Sequence, residues 1–241
     1  MNPYLSSSGL KALARGQLIG HYGTVSCAYF LHMLCIIPLT FAAASLFAAN
    51  TLMNLILSTI ATFLISLMSG LFIAGEAYMY LKIACNQPVT IGDLFFGFRY
   101  ENQKVLTLQA VIAGLSILTT LPSSFVGFLY TMNPENSGLN GIYIALSIIG
   151  LIIDLIISLM LSQAFFLMLD FPEYTPKQLL AKSIQLMKKN KWRLFKVQLS
   201  FLPLVLLGYL SCGVGMLWVQ PYMMATEANF YLDLIKKKQN V

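Results

Sequence analysis

The chain has 241 residues, of which 58% are apolar and only 10% are charged, and its formal net charge is +6. Soluble globular domains carry about 25% charged residues, so this composition excludes an ordinary soluble domain. Each bilayer crossing takes roughly 20 helical residues, and six crossings leave no room for a separate globular domain. The sequence therefore predicts a single all-α, polytopic membrane domain over residues 1–241.

Five long apolar runs and one weaker run are predicted to cross the bilayer as helices, at 22–46, 55–83, 105–130, 142–169, 192–210 and 216–235. The segment 1–20 lacks the charged start and apolar core of a cleaved signal peptide, so we expect the first crossing to direct membrane insertion. The sixth run is weaker because it contains five residues that disfavour insertion: Gln220, Pro221, Glu227, Asn229 and Asp233.

All fifteen Lys and Arg residues can be placed on one side of the membrane. The connections 50–54, 133–140 and 212–215 contain none of them. Positive charges stay on the cytoplasmic side, and Lys236 to Lys238 obey this rule only if the sixth run crosses. We therefore predict three transmembrane hairpins with both termini in the cytoplasm. The basic residues would meet anionic headgroups, at about 1 kcal/mol each, so the bilayer is the expected partner and nucleic acid is not.

A short amphipathic segment precedes each odd-numbered crossing on the predicted cytoplasmic side. Thr90 with Asp93, and Thr175 with Gln178, have the spacing of helix capping boxes. We interpret the chain as three related units, 8–87, 90–172 and 175–238, with chance similarity as the alternative. The predicted apolar faces are formed by Leu10, Leu13, Ala14 and Leu18; by Ile91, Leu94, Phe95 and Phe98; and by Leu180, Ile184 and Met187.

The order of several short motifs resembles a family of bacterial membrane proteins known as domain of unknown function 975. The resemblance implies a multi-pass protein of the cytoplasmic membrane of Gram-positive bacteria, and it implies no activity or site residue. The motifs are Asp93-Leu94-Phe95, Gly97-Phe98, Asp170-Phe171-Pro172, Ala181, Ser183, Met187, Lys191, Phe195, Leu199-Ser200-Phe201, Gly215-Met216-Leu217-Trp218, Pro221-Tyr222, Thr226, Ala228 and Phe230-Tyr231.

Ionisable residues within the apolar runs are the candidates for function, because a charge in hydrocarbon costs about 2.5–3.5 kcal/mol on insertion scales. Asp154 lies near the middle of the fourth run. It is either an ion or proton site, or a carboxyl that ties its helix to a neighbour. His32 lies inside the first run, and helix tilt would allow it to pair with Asp154. The alternative for His32 is a hydrogen bond to a backbone carbonyl.

A second group of polar residues lies within about 12 Å of the cytoplasmic ends of the second, fifth and sixth crossings, at 1.5 Å per residue. If these helices are neighbours, the group lines a polar vestibule. The alternative is that each member reaches headgroup water separately. The group consists of Glu76, Lys196, Gln198, Glu227 and Asn229.

Pro221 is predicted to kink or break the last helix, because proline removes a backbone donor and crowds the preceding turn. The four cysteines are interpreted as packing residues. The sequence contains none of the common hydrolase, metal or phosphate-binding motifs. We therefore expect no cofactor, no metal and no enzymatic activity.

Two functions fit these features. The first is an accessory subunit of a transport, export or envelope system, whose amphipathic helices bind a membrane protein partner or a second copy of the chain. The second is an autonomous transporter or lipid-handling protein that uses Asp154, Glu76 and Glu227 as polar contacts along a path.

Overall fold

The computed structural model describes residues 4–47 and 51–239, with side chains described as far as Lys236. Asn50, which begins a predicted outer connection, and the side chains of Lys237 and Lys238 lie outside the described residues. Every regular element in the described part is helical: α1 Ser7–Leu18, α2 Tyr22–Leu46, α3 Leu52–Ala84, a 3₁₀ helix Ile91–Phe95, α4 Phe96–Arg99, α5 Asn102–Met132, α6 Ser137–Leu161, α7 Ala164–Asp170, α8 Pro176–Met187, α9 Lys191–Leu199, α10 Leu202–Leu210 and α11 Met216–Gln239.

Five segments are long and apolar enough to cross a bilayer: α2, α3, α5, the α6–α7 pair and the α9–α10 pair. Their outward faces are apolar, and on α6 the exposed side chains include Ile148, Ile149, Ile152 and Ile156. A surface of this kind is stable in contact with lipid tails. The all-helical multi-pass architecture expected from composition is confirmed at this level.

The sixth predicted crossing, α11, is a helix that does not meet the same apolar criterion. It packs against α1, α2, α3 and α10, and its buried residues include Thr226, Asn229, Phe230 and Tyr231. Its polar side chains therefore face protein. Asn229, for example, donates to Gln17 of α1 at 2.6 Å. This explains the low hydropathy of the segment, and its passage across the bilayer stays a prediction.

The buried face of α1 largely matches the predicted one, whereas the faces of the other two short segments differ from the prediction. In α1 the buried residues are Leu10, Ala14 and Leu18, whereas Leu13 is exposed. The segment around Ile91 is a 3₁₀ helix followed by one α-helical turn, so Leu94 is buried while Ile91, Phe95 and Phe98 stay largely exposed. In α8 the buried face is shifted by about one residue, and it consists of Leu179, Ser183, Leu186 and Met187.

Both predicted capping boxes are confirmed. The Thr90 N–H donates to Asp93 at 2.8 Å, and Lys82 at the end of α3 donates to the same carboxylate at 2.9 Å. Burial disfavours the charged form of Asp93, but the bonds from Lys82 and Thr90 outweigh it and lower the pKa of this carboxyl below its usual value. The 3₁₀ helix is thereby fastened to the end of α3.

Of the predicted kink or break at Pro221, the break is wrong, since α11 runs through this residue without interruption, and the kink stays a prediction. Proline removes the donor that would bond the carbonyl four residues earlier, and that carbonyl, on Leu217, accepts instead from Ser26 of α2 at 2.7 Å. The interrupted helices are elsewhere. α6 ends and α7 begins around Ser162 and Gln163, and α9 gives way to α10 at residues 200–201.

Candidate functional site

Two clusters of polar side chains lie within the apolar helices. The first, which we call the histidine cluster, consists of His32 on α2 with Ser69 and Glu76 on α3. His32 Nδ1 lies 2.8 Å from Glu76 Oε1, and Nε2 lies 3.1 Å from Ser69 Oγ. His32 and Glu76 are only 5% and 4% exposed. Both ring nitrogens are therefore engaged, and the imidazole is held in one orientation.

Aromatic rings enclose the histidine cluster on one side. Phe72 lies between Ser69 and Glu76 in the sequence of α3 and stacks on the His32 ring, with centroids 5.0 Å apart. Phe95 and Phe98 in turn make edge contacts with Phe72. The spacing of Ser69, Phe72 and Glu76 places all three on one face of a helix. The cluster is consequently a polar site lined by apolar rings.

The order of contacts, hydroxyl to imidazole to carboxylate, is that of a hydrolase triad. A hydrolase also needs backbone or side-chain donors that stabilise an oxyanion beside the serine. Ser69 lies in the interior of α3, where the backbone N–H groups are engaged in helical hydrogen bonds. The arrangement is suited to holding and passing a proton, and it lacks backbone donors for acyl transfer.

The second cluster, which we call the glutamate cluster, consists of Glu227 on α11 with Ser162 and Gln163 at the break between α6 and α7. Gln163 Nε2 lies 3.5 Å from Glu227 Oε1 and 2.8 Å from Ser162 Oγ. Gln163 is completely buried, and its Oε1 has no hydrogen-bond partner. A buried polar atom without a partner is rare and costs about 1–3 kcal/mol, so this oxygen is a free acceptor at the site.

Glu227 lies between two cavities. One, of about 250 Å³, is formed by α3, α5, α6, α7 and α11 and is lined mainly by apolar residues that include Ile112, Phe165 and Phe166. The other, of about 160 Å³, is bounded by α9, α11 and Phe201, and its polar lining comes from Gln198, Gln220 and Glu227. The carboxylate is only partly exposed, and this exposure is toward the cavities.

A larger cavity, of about 460 Å³, lies between α3, α5 and α6 at the predicted outer end. Its lining includes Ser58, Ser123 and Thr131, whose hydroxyls all donate to carbonyls of their own helices. Its lining contains neither a carboxylate nor a basic side chain. Despite its size, this cavity has weaker chemistry for binding a charged ligand than the glutamate cluster.

The pairing of His32 with Asp154 that helix tilt would allow is not formed, because each residue has another partner. Asp154 accepts a hydrogen bond of 2.6 Å from Ser116 and so joins α6 to α5. This is the structural alternative considered for it, a carboxyl that ties two helices together.

The members of the predicted vestibule are divided among separate places. Gln198 and Glu227 line the same cavity. Glu76 lies instead in the histidine cluster, Asn229 bonds to Gln17, and the Lys196 ammonium lies over the Trp192 ring.

Sequence reasoning missed Ser69 and Gln163. The first carried a signal, since Ser69 and Glu76 are seven residues apart in a helix and therefore share a face. The signal for Gln163 was weaker, because a glutamine near the end of an apolar run is common. Its importance arises from the helix break and from the position of α11.

Comparison with known proteins identifies a family but no characterised relative. No curated protein and no solved structure matches the chain. A family model described as "Protein of unknown function (DUF975)" matches residues 1–238. The match spans nearly the whole chain and agrees with the resemblance found in the motifs, so the protein belongs to the DUF975 family.

Proposed function

We propose that this protein is a non-enzymatic membrane transporter that binds a small protonated amine at the glutamate cluster. The observation that carries the proposal is the buried, unpartnered Oε1 of Gln163, whose amide Nε2 lies 3.5 Å from the carboxylate of Glu227. Both groups are acceptors, so the ligand that satisfies them has to donate hydrogen bonds and bring positive charge. An alkylammonium group does both.

The lining of the adjacent cavity supports an organic cation over a bare metal ion. The cavity of about 250 Å³ beside Glu227 is lined by Ile73, Ile112, Phe165 and Phe166, and aromatic faces attract ammonium groups. In the described residues, no group of three His, Cys, Asp or Glu side chains is placed to hold a metal ion. The volume of about 250 Å³ is below the usual range for drug-sized ligands, which favours a small solute.

The interrupted helix at this site also supports transport. Gln163 caps the N-terminus of α7, directly after the end of α6. Transporters commonly bind their substrates where membrane helices are discontinuous, because such breaks leave polar groups available at membrane depth. Here the break supplies Gln163, and α11 supplies the counter-charge.

The competing role is that of an accessory subunit, and its main support was the supposed free faces of the short helices. Two of those faces are used within the chain: α1 buries Leu10, Ala14 and Leu18, and α8 buries Leu179 and Met187. The third segment leaves Ile91, Phe95 and Phe98 exposed, so it remains open to a partner. The accessory role predicts a stoichiometric partner after mild crosslinking and no ligand bound by the purified chain.

Purified protein should be stabilised by ethanolamine and not by ethylene glycol, which has a similar size but no charge. At a concentration one hundred times its dissociation constant, a ligand stabilises the folded state by about 2.7 kcal/mol, or about 5–10 °C in unfolding midpoint for a chain of this size. Proteoliposomes should also take up labelled ethanolamine faster than empty liposomes, with equal pH on both sides.

The matched variants are Glu227→Gln and Asp154→Asn, which replace a carboxylate by an amide in two different places. Glu227→Gln removes a charge-assisted hydrogen bond of about 1.5–3 kcal/mol, so binding should weaken about 10- to 100-fold. Asp154→Asn should leave binding unchanged, because Asp154 contacts Ser116 and no ammonium. Equal stabilisation by ethanolamine and ethylene glycol contradicts the proposal, as does a Glu227→Gln variant that binds ethanolamine as tightly as the wild type.

For the topology we propose six crossings of a bacterial cytoplasmic membrane, with both termini inside, on the strength of the charge distribution. The chain contains its own reporters, since Cys85 and Cys212 are both exposed and are expected on opposite sides. In variants that keep one cysteine, a membrane-impermeant maleimide added to intact cells should label Cys212 and leave Cys85 unlabelled. A cysteine in place of Lys236 should also stay unlabelled if α11 crosses. Its labelling from outside would reject the sixth crossing.

A further inference from the structure

The histidine cluster is separate from the glutamate cluster and plays no part in the amine site described above. It joins α2 to α3, whereas Glu227 and Gln163 join α11 to the α6–α7 break. Its two ionisable members, His32 and Glu76, are both buried. An amine site does not need a second buried acid and base, so their presence calls for a separate explanation.

The charge of the pair depends on one proton. With the exchangeable proton on the His32 ring, the pair is an imidazolium with a carboxylate and is neutral overall. Without that proton it carries a net charge of −1 in an apolar environment, which is unfavourable unless a cation compensates it elsewhere. Loading and release of the proton therefore change the energy of the α2–α3 contact.

We propose that His32 and Glu76 form the binding site for a coupling proton, so that transport of the amine is driven by exchange with H⁺. This inference rests on the function proposed above and names its coupling ion. The exchange of one outgoing proton for one incoming ammonium transfers no net charge. When the proton is bound, the uncompensated buried charge is the Glu227 carboxylate. When the ammonium is bound, it is the negative His32–Glu76 pair, so each loaded state contains one such charge.

Ser69 provides the route for the proton. In the unloaded pair the Nδ1–H donates to Glu76, and Nε2 accepts from the Ser69 hydroxyl. A proton delivered by water to Nε2 reverses this bond, so that Nε2–H donates to Ser69 Oγ across the observed 3.1 Å. Ser69 is partly exposed, unlike the other two residues, and so it is the member through which water reaches the cluster.

The other titratable groups near the pair do not neutralise it. Tyr29 on α2 and Tyr80 on α3 are close enough to interact electrostatically with Glu76, and Tyr209 on α10 interacts with Tyr29. A phenol never carries a positive charge, so none of these tyrosines compensates the negative charge of the pair. From the other packed elements, Asp93 in the 3₁₀ helix is bonded to Lys82, and Glu227 on α11 lies beside Gln163.

The first test uses the fact that the chain has only two histidines, His21 and His32. Selective ¹⁵N-histidine labelling gives two sets of ring signals, and His21→Asn assigns them. In the wild type, lowering the pH should change the His32 signals from singly to doubly protonated. In Glu76→Gln the His32 ring should stay singly protonated, since burial disfavours an uncompensated cation.

Ser69→Ala is the second variant, and it removes one hydroxyl without changing the charge of the cluster. It should keep the two-state change of His32 but alter the Nε2 shift and slow proton exchange. A wild-type His32 whose protonation does not change as the pH is lowered overturns the proposal, as does a protonation change that persists in Glu76→Gln.

The second test measures the protein-dependent uptake of ethanolamine into liposomes while only the internal pH is changed. One pH unit of outward proton gradient should raise the accumulation ratio by up to about tenfold in the wild type. His32→Gln should lose this gain while keeping the ethanolamine-induced thermal shift. Uptake that ignores the gradient in the wild type rejects proton coupling. Titration of His32 without any ethanolamine binding would instead leave the proton site standing and reject the amine site.

Discussion

Gly75→Ala should destabilise the protein by at least about 3 kcal/mol, which corresponds to a fall of about 6–12 °C in the thermal unfolding midpoint. Gly75 lies on α3 where the chain of the 3₁₀ helix crosses it. A methyl group at this position would overlap the carbonyl oxygen of Leu94 and lie 2.9 Å from the Leu94 Cα. Backbone atoms cannot rotate aside as a side chain does, so the two segments would have to separate.

The same crossing is close at a second point, where Gly97 lies against the Leu71 carbonyl. Separation at Gly75 would therefore also loosen this contact and expose Leu94, which is completely buried. Small residues allow membrane helices to approach in this way. The effect should be visible in thermal unfolding of the protein in detergent.

Gly114→Ala is the matched control, because a methyl group there meets no atom within 4 Å. Alanine is favoured over glycine inside a helix by about 1 kcal/mol, so this variant should be as stable as the wild type or slightly more stable. Equal stability of the Gly75→Ala and Gly114→Ala variants would show that the 3₁₀ helix does not pack closely against α3.

Asp233→Asn should destabilise the protein by about 3 kcal/mol, because it leaves Arg193 partly buried without its counter-ion. Arg193 on α9 bonds to Asp233 on α11 and donates to the Leu5 carbonyl at 2.9 Å. Its guanidinium also lies over the rings of Tyr4 and Phe230, at 4.5 Å and 4.6 Å. One ion pair therefore joins the N-terminal segment, α9 and α11.

Glu101→Gln is the matched control for this ion pair. Glu101 pairs with Lys104 at 3.1 Å, but its side chain is 42% exposed, so its loss should change stability by less than about 1 kcal/mol. The double variant Arg193→Met with Asp233→Leu should recover part of the loss seen in Asp233→Asn, since it removes both charges. Equal midpoints for Asp233→Asn and Glu101→Gln would contradict this account.

The helix positions were largely predictable, because length and apolar composition act locally. The first crossing was predicted at the observed bounds of α2, Tyr22–Leu46, and both capping boxes were predicted from pairs three residues apart. The buried faces of the short helices were less predictable. A shift of one residue along a helix turns its face by about 100°, and tertiary packing decides which face is covered.

The pairing of the intramembrane polar residues was not predictable from depth alone. Helix tilt would have allowed His32 and Asp154 to pair, but their helices do not meet at these residues. His32 contacts α3 through Glu76, and Asp154 contacts α5 through Ser116. Residues on the same element, such as Ser69 and Glu76, follow from helical periodicity, whereas partners on different helices do not.

By itself the sequence determined that the chain is a helical membrane protein of the DUF975 family, because hydropathy and motif order are properties of the linear chain. Only the tertiary structure decided that α11 turns its polar residues inward, that Gln163 lies buried at a helix break, and that His32 meets Glu76. The physical reason is that insertion into a bilayer depends on each segment separately. The satisfaction of a buried polar group depends on which neighbour packs against it.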